Sequence, residues 1–117
     1  MKKNIIITGG LGFIGSNLVS YFLKKKFNVI NIDKVSYSSN IYNTKDFLND
    51  TNYKFIKCDI NNNIKILKIL KKFKPQAIFN LAAETHVDRS IDGPESFIHT
   101  NINGTFAILE SLRFLQK

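Results

Sequence analysis

Residues 8–15 read Thr-Gly-Gly-Leu-Gly-Phe-Ile-Gly and close a short apolar run, Asn4–Thr8, near the N-terminus. Two glycine spacings coincide in this stretch, Gly10-x-Gly12-x-x-Gly15 and Gly9-x-x-Gly12-x-x-Gly15. Glycines so spaced let a chain turn tightly, approach a bound group closely, and bring a helix against the preceding strand. A helix N-terminus at that point offers free N–H groups and a partial positive charge, which suits the diphosphate of a dinucleotide. A bare glycine triplet is a weak signal. Its place between a strand and an amphipathic helix strengthens it.

Asp33 closes a second apolar run, 21 residues after Gly12. A carboxylate there accepts hydrogen bonds from both hydroxyls of an adenosine ribose and repels a 2′-phosphate, which favours NAD over NADP. Lys34 is the dissonant neighbour, a cation that softens the discrimination. Asp59, after a third run, either meets the adenine or serves as a helix N-cap before Asn61. With two histidines and one cysteine, the chain offers no metal-ligand cluster.

The elements that position these residues follow from periodicity. Near-continuous or Ile/Val-rich runs predict strands at Asn4–Thr8, Asn28–Asp33, Lys54–Asp59 and Ala77–Leu81. After Gly12, residues Ile14, Leu18, Tyr21 and Phe22 predict one helical face, and Ile66, Ile69, Leu70 and Phe73 predict another. Pro75 helps stop the second helix. A last helix is expected from Pro94 through Phe97, Ile98, Ile102, Phe106, Leu109 and Leu112. Lys34 to Asn52 reads as a loop with one short helix around Thr44–Leu48. Such alternation implies an α/β fold: an incomplete Rossmann-like doubly wound parallel sheet of about four strands with flanking helices.

Composition narrows the class. The 117 residues carry 44% hydrophobic and 12% aromatic side chains, enough for a packed core. A net charge of +8 invites a nucleic-acid reading, yet the cations are almost all lysines spread over helical faces, without an arginine cluster. Solvated surface is the better account, and no nucleic-acid partner is expected. The apolar run Ile5 to Ile7 is far too short for a signal core or membrane span, and the lone Cys58 fits a reducing compartment. The protein reads as cytoplasmic and not membrane-bound.

Beyond these readings, Thr8–Gly15 resembles the signature of extended short-chain dehydrogenase/reductase enzymes. The segment Asp33-Lys34-Val35-Ser36-Tyr37, with Asn40, and the long Leu81-Ala82-Ala83-Glu84-Thr85-His86-Val87-Asp88-Arg89-Ser90-Ile91 are similar to those of dTDP-glucose 4,6-dehydratases. The likeness continues through Gly93-Pro94 and Thr100-Asn101-x-x-Gly104-Thr105, and so covers nearly the whole chain. Related epimerases and GDP-mannose dehydratases share the glycine signature but differ after the fourth strand. Leu11 in place of the usual Ala is a small departure.

The resemblance implies NAD as cofactor and dTDP-glucose as the substrate of the full-length enzyme, expected to be a homodimer. It places Gly9, Gly12, Phe13, Ile14 and Gly15 at the pyrophosphate, and Asp33, Lys34, Val35 and Ser36 at the adenosine ribose. Asp59 and Ile60 would flank the adenine. Leu81, Ala82, Ala83, Thr85 and Thr100 would run toward the nicotinamide, Thr85 also touching the sugar. His86, Asp88 and Arg89 are expected to anchor a loop, and Tyr37 to pack along the cofactor or cover its loop.

The family's proton transfers come from a Tyr-x-x-x-Lys pair and an Asp-Glu pair after a fifth strand. Two matches to the first spacing occur here, Tyr21/Lys25 and Tyr53/Lys57, and both are impostors. Tyr21 belongs to the apolar face of the first helix. Tyr53 and Lys57 fall on a strand, where four residues span ~13 Å. No Asp-Glu dipeptide occurs. Residues 1–117 are therefore expected to form the N-terminal part of the NAD-binding domain, with the catalytic segment and the C-terminal substrate domain absent and no catalytic residue in this stretch. Another nucleotide-sugar epimerase or dehydratase, or a non-catalytic NAD-binding module, is the alternative reading.

Overall fold

The computed structural model describes residues 3–34, 41–82 and 102–115. Its elements run β1 (Asn4–Thr8), α1 (Phe13–Lys24), β2 (Asn28–Asp33), a 3-10 turn (Ile41–Thr44), β3 (Tyr53–Lys57), α2 (Asn63–Phe73), β4 (Ala77–Asn80) and α3 (Gly104–Leu115). The four strands form one sheet in the order β3-β2-β1-β4, every neighbouring pair parallel. The chain winds outward from β1 to β3, then returns to the other side of β1. That reversal opens a crevice at the carboxyl ends of β1 and β4, where doubly wound sheets bind ligands.

Alternation along the strands sorts the core into two layers. Ile5, Ile7 and Val29 face α1, packing with Val19, Leu23 and Phe47. Ile6, Ile30 and Ile32 face the other way, toward Ile66, Ile69 and Leu70 of α2, with Leu112 and Leu115 of α3 beside them. Because both faces are covered, β1 and β2 read as nearly unbroken apolar runs. The exceptions on the α1 face are Asn31 and Asp33, both buried.

Local chemistry sets the helix ends. The Asn62 side chain accepts from the Lys65 N–H at 3.2 Å and caps α2, whose C-cap Lys74 turns left-handed at φ 44° just before Pro75. Proline disfavours helical backbone in the residue before it, which fits the expected stop. The first and second strands match expectation, and the third and fourth end one or two residues early. At β3, Asp59 turns its carboxylate onto the Asn61 N–H at 2.9 Å, drawing the chain out of the ladder. The helix expected around Thr44–Leu48 is instead the 3-10 turn Ile41–Thr44 and a following turn, in which Phe47 and Leu48 both donate to the Thr44 carbonyl.

The face of α1 also needs correction. Leu18 and Phe22 do pack inward, but the buried residues are Gly15, Ser16, Val19 and Leu23, while Ile14 and Tyr21 are exposed. The glycine turn presses Gly15 against the strand exit, and this contact fixes the rotation of the helix. On α3, Ala107, Ile108 and Ser111 are buried, whereas Phe106 and Leu109, and Ile102 just before the helix, are exposed. Its expected start at Pro94 lies outside the described residues.

Replacing Ile7, fully buried between β2 and β4, by Ala should cost about 2–5 kcal/mol. Ile64→Ala, on the exposed side of α2, should stay within ~0.5 kcal/mol. Urea denaturation checks both, and equal midpoints would show that Ile7 does not hold the shared core.

Candidate functional site

The turn after β1 is pinned almost amide by amide. Gly9 donates its N–H to the Ile32 carbonyl at 2.8 Å. Gly10 donates to Asn31 Oδ1 at 2.9 Å, and Leu11 to Asp33 Oδ2 at 3.1 Å. Gly12 donates back to the Gly9 carbonyl at 3.2 Å, and the first helical bond runs from the Ser16 N–H to the Gly12 carbonyl. Among the described residues, this leaves the N–H groups of Phe13, Ile14 and Gly15 without a protein acceptor. They lie in the first turn of α1, where the helix dipole is most positive.

The glycines differ in what demands them. Gly9 sits at φ 74°, and a Cβ there would lie 2.7 Å from the Leu81 carbonyl group. At Gly15 a Cβ would come within 2.2 Å of the Gly9 carbonyl oxygen. Backbone meets backbone at both positions, so only glycine fits. Gly12 is different: its φ is −74°, and among the described residues a Cβ would find only the Gly9 oxygen, at an ordinary 3.5 Å. The fold itself does not require glycine there. An absent side chain beside three outward N–H groups leaves room for a group brought close to the helix end, and a phosphate matches that donor set. Phe13 and Ile14 flank this space, 77% and 71% exposed.

Asp33 closes the crevice from β2. It is 5% exposed, and its carboxylate lies under the turn, one oxygen taken by Leu11. The Cys58 N–H donates to the Asp33 carbonyl at 3.0 Å, which brings the Asp59–Ile60 segment alongside. Ile60 turns its side chain inward, 4% exposed, against the start of α3, where a Cβ on Gly104 would meet it at 2.4 Å. Asp59 is not the cap of α2, which is Asn62. Cys58 is buried, and burial pushes its thiol above the ordinary range, against the pull of nearby Lys65. It serves as a small neutral hydrophobe.

On the β4 side, the Leu81 N–H donates to the Thr8 carbonyl at 3.0 Å, and the Ala82 N–H to Thr8 Oγ1 at 3.2 Å. Thr8 Oγ1 in turn donates to Asn80 Oδ1, and Asn80 Nδ2 donates to Thr105 Oγ1 at 3.1 Å. This ladder ties the exits of β1 and β4 to α3. The structure thus brings Gly9, Gly12, Phe13, Ile14, Gly15, Asp33, Leu81 and Ala82 to one sheet end, with Asp59 and Ile60 beside Asp33. Lys34 follows Asp33, half-buried. Val35, Ser36, Ala83, Thr85 and Thr100 lie outside the described residues, as do Tyr37, His86, Asp88 and Arg89.

Sequence reasoning missed Asn31, Thr8 and Asn80. The available signal was a polar residue inside an otherwise apolar strand, as with Asn31 between Ile30 and Ile32. Tyr21 is half-exposed on α1, with Lys25 Nζ 5.6 Å from its ring centre. Tyr53 lies on β3, where burial, opposed by a hydrogen bond from Asn31, holds its hydroxyl above the ordinary phenol range. Among the described residues there is no cluster that could hold a metal ion and no helix long and apolar enough to cross a membrane.

Gly15→Ala should cost about 1–3 kcal/mol through overpacking, whereas Gly12→Ala should change stability by less than ~1 kcal/mol. Thermal melts of the two variants check this contrast, and equal losses would remove the distinction between a fold-required and a space-leaving glycine.

Comparison with known proteins agrees with this fold. The chain is 46% identical over 110 residues to the dTDP-glucose 4,6-dehydratase of Salmonella typhimurium, covering 93% of this chain and 30% of that protein. The crystal structure of dTDP-glucose 4,6-dehydratase from Bacillus anthracis, in complex with NAD, superposes with a TM-score of 0.85 at 36% identity, over 97% of this chain and 34% of that one. The Streptomyces venezuelae dTDP-glucose 4,6-dehydratase, with NAD and TYD bound, gives 0.86 at 34% identity, over 92% and 35%. The chain therefore spans about a third of the length of the relatives it matches. A family model described as GDP-mannose 4,6 dehydratase matches residues 6–117, nearly the entire sequence, and the chain belongs to that family.

Proposed function

We propose that this chain is the NAD-binding N-terminal portion of a dTDP-glucose 4,6-dehydratase. The observation that carries the reading is the conjunction at one sheet end. The outward amides of Phe13, Ile14 and Gly15 lie beside the open Gly12, with the Asp33 carboxylate across the turn. The amides hold the diphosphate, and Gly12 lets it approach. Asp33 accepts from the adenosine ribose while Lys34, Val35 and Ser36 border it. Asp59 and Ile60 flank the adenine, and the buried Ile60 side chain leaves backbone for that contact. Leu81, Ala82, Ala83, Thr85 and Thr100 line the path toward the nicotinamide, and Thr85 touches the sugar.

When bound, NAD supplies reversible hydride acceptance during loss of water from the sugar. The residues of this chain bind and orient; none of them holds or moves the reacting proton. The catalytic Tyr-x-x-x-Lys and Asp-Glu pairs and the substrate domain belong to the remainder of the enzyme, a cytoplasmic homodimer that takes dTDP-glucose. In support of this assignment, the curated dTDP-glucose dehydratases match over 92–96% of this chain. A complete enzyme of the kind would be about three times as long.

Calorimetric titration tests the cofactor reading. Asp33→Ala should weaken NAD binding about tenfold, the equivalent of ~1.4 kcal/mol for a lost charge-assisted bond. Unchanged affinity would remove the ribose assignment. The 117-residue chain alone should not turn over dTDP-glucose, and activity should appear only with a complementing polypeptide bearing the Tyr-x-x-x-Lys segment. Turnover by the chain alone would overturn the division of labour.

A further inference from the structure

We propose that Asn31 is the positioning residue of the phosphate cradle, matched to Gly10 and oriented by Tyr53. The proposal deepens the NAD reading and rests on it for the identity of the anion. Asn31 is 0% exposed in a strand whose neighbours Val29, Ile30 and Ile32 are buried hydrophobes. A buried amide is costly unless each polar end is satisfied, and a β-branched residue would suit the strand better. Both ends are satisfied: Oδ1 accepts from the Gly10 N–H at 2.9 Å, and Nδ2 donates to the Tyr53 hydroxyl at 3.0 Å.

Gly10 owes its identity to this side chain. Among the described glycines only Gly9 has a positive φ, so backbone conformation does not demand glycine at position 10. The three atoms nearest to a Cβ there all belong to the Asn31 amide, with Oδ1 at 2.3 Å, Cγ at 2.4 Å and Nδ2 at 2.8 Å. At Gly9 and Gly15 the nearest atoms are backbone. The amide fills the place of the missing methyl.

Orientation follows from donor and acceptor roles. The Gly10 N–H only donates, so the amide oxygen must face it and the nitrogen must face Tyr53, whose hydroxyl accepts. Turned over, the amide would set donor against donor. Tyr53 is itself held by an edge-on contact with Phe47, ring centres 4.8 Å apart. Two residues along β2, on the same face, Asp33 takes the Leu11 N–H. With the amides of Gly10 and Leu11 drawn down toward β2, only those of Phe13, Ile14 and Gly15 are presented to an anion. Asn31 touches no ligand and acts through Gly10.

Amide hydrogen exchange by NMR on the ligand-free chain, with an ADP-ribose titration, tests this. Tyr53→Phe should speed exchange at Gly10 by about fivefold, leave Leu11 within about twofold, and weaken ADP-ribose about three- to tenfold, as expected for one lost hydrogen bond. Gly10→Ala should weaken ADP-ribose at least ~10-fold in the parent, and less than ~3-fold in an Asn31→Ala background, since contacting residues couple. Unaltered Gly10 exchange in Tyr53→Phe, or an equal Gly10→Ala penalty in both backgrounds, overturns the proposal. If Asn31→Ala does not fold, Tyr53→Phe decides alone. A parent that responds at Gly10 yet fails to bind ADP-ribose refutes the NAD reading while the positioning role stands.

Discussion

The first turn of α1 rests directly on the backbone of the strand exit, with Gly15 against the Gly9 carbonyl at a separation no side chain allows. From this one contact the rest of the site follows. It sets the distance between helix and sheet and the rotation of the helix about its axis. Val19 and Leu23 are thereby driven into the core, and Ile14 and Tyr21 out of it. It also points the free amides of the first turn into the crevice between β1 and β4. A methyl group at position 15 would separate these features, because interiors are packed too densely to absorb it.

Polar side chains inside the sheet fix the turn that the glycines permit. Asn31 and Asp33, two apart on β2, take successive N–H groups from Gly10 and Leu11. Thr8, Asn80 and Thr105 do the corresponding work between β1, β4 and α3. Each such bond adds only about 0.5–1.5 kcal/mol, but a buried group left unpaired costs more. The networks therefore act chiefly by excluding other arrangements of the loop.

The cradle is general and the chemistry that uses it is not. Nothing in the turn or in Asp33 specifies a sugar; those residues suit any dinucleotide carrying an unmodified adenosine ribose. Under the proposed function, substrate choice falls to the sequence after β4, which is similar to that of the dTDP-glucose enzymes, and to the parts of the relatives that this chain does not span. Phe106 and Leu109 on α3 are exposed, as is Ile102 just before it.

What the sequence alone determined is what depends on neighbours along the chain. Strand and helix existence, the two-face burial of β1 and β2, the stop at Pro75 and the glycine turn were all legible, because periodicity and backbone freedom are local properties. The ends of β3, the 3-10 turn at Ile41–Thr44 and the buried face of α1 were not. An apolar helix pattern leaves the rotation open by about one residue, and only the Gly15 contact chose among the options. The roles of individual glycines were hidden for the same reason. Gly9, Gly10, Gly12 and Gly15 look alike as letters, and tertiary packing alone shows that backbone demands two, Asn31 demands one, and nothing among the described residues crowds Gly12.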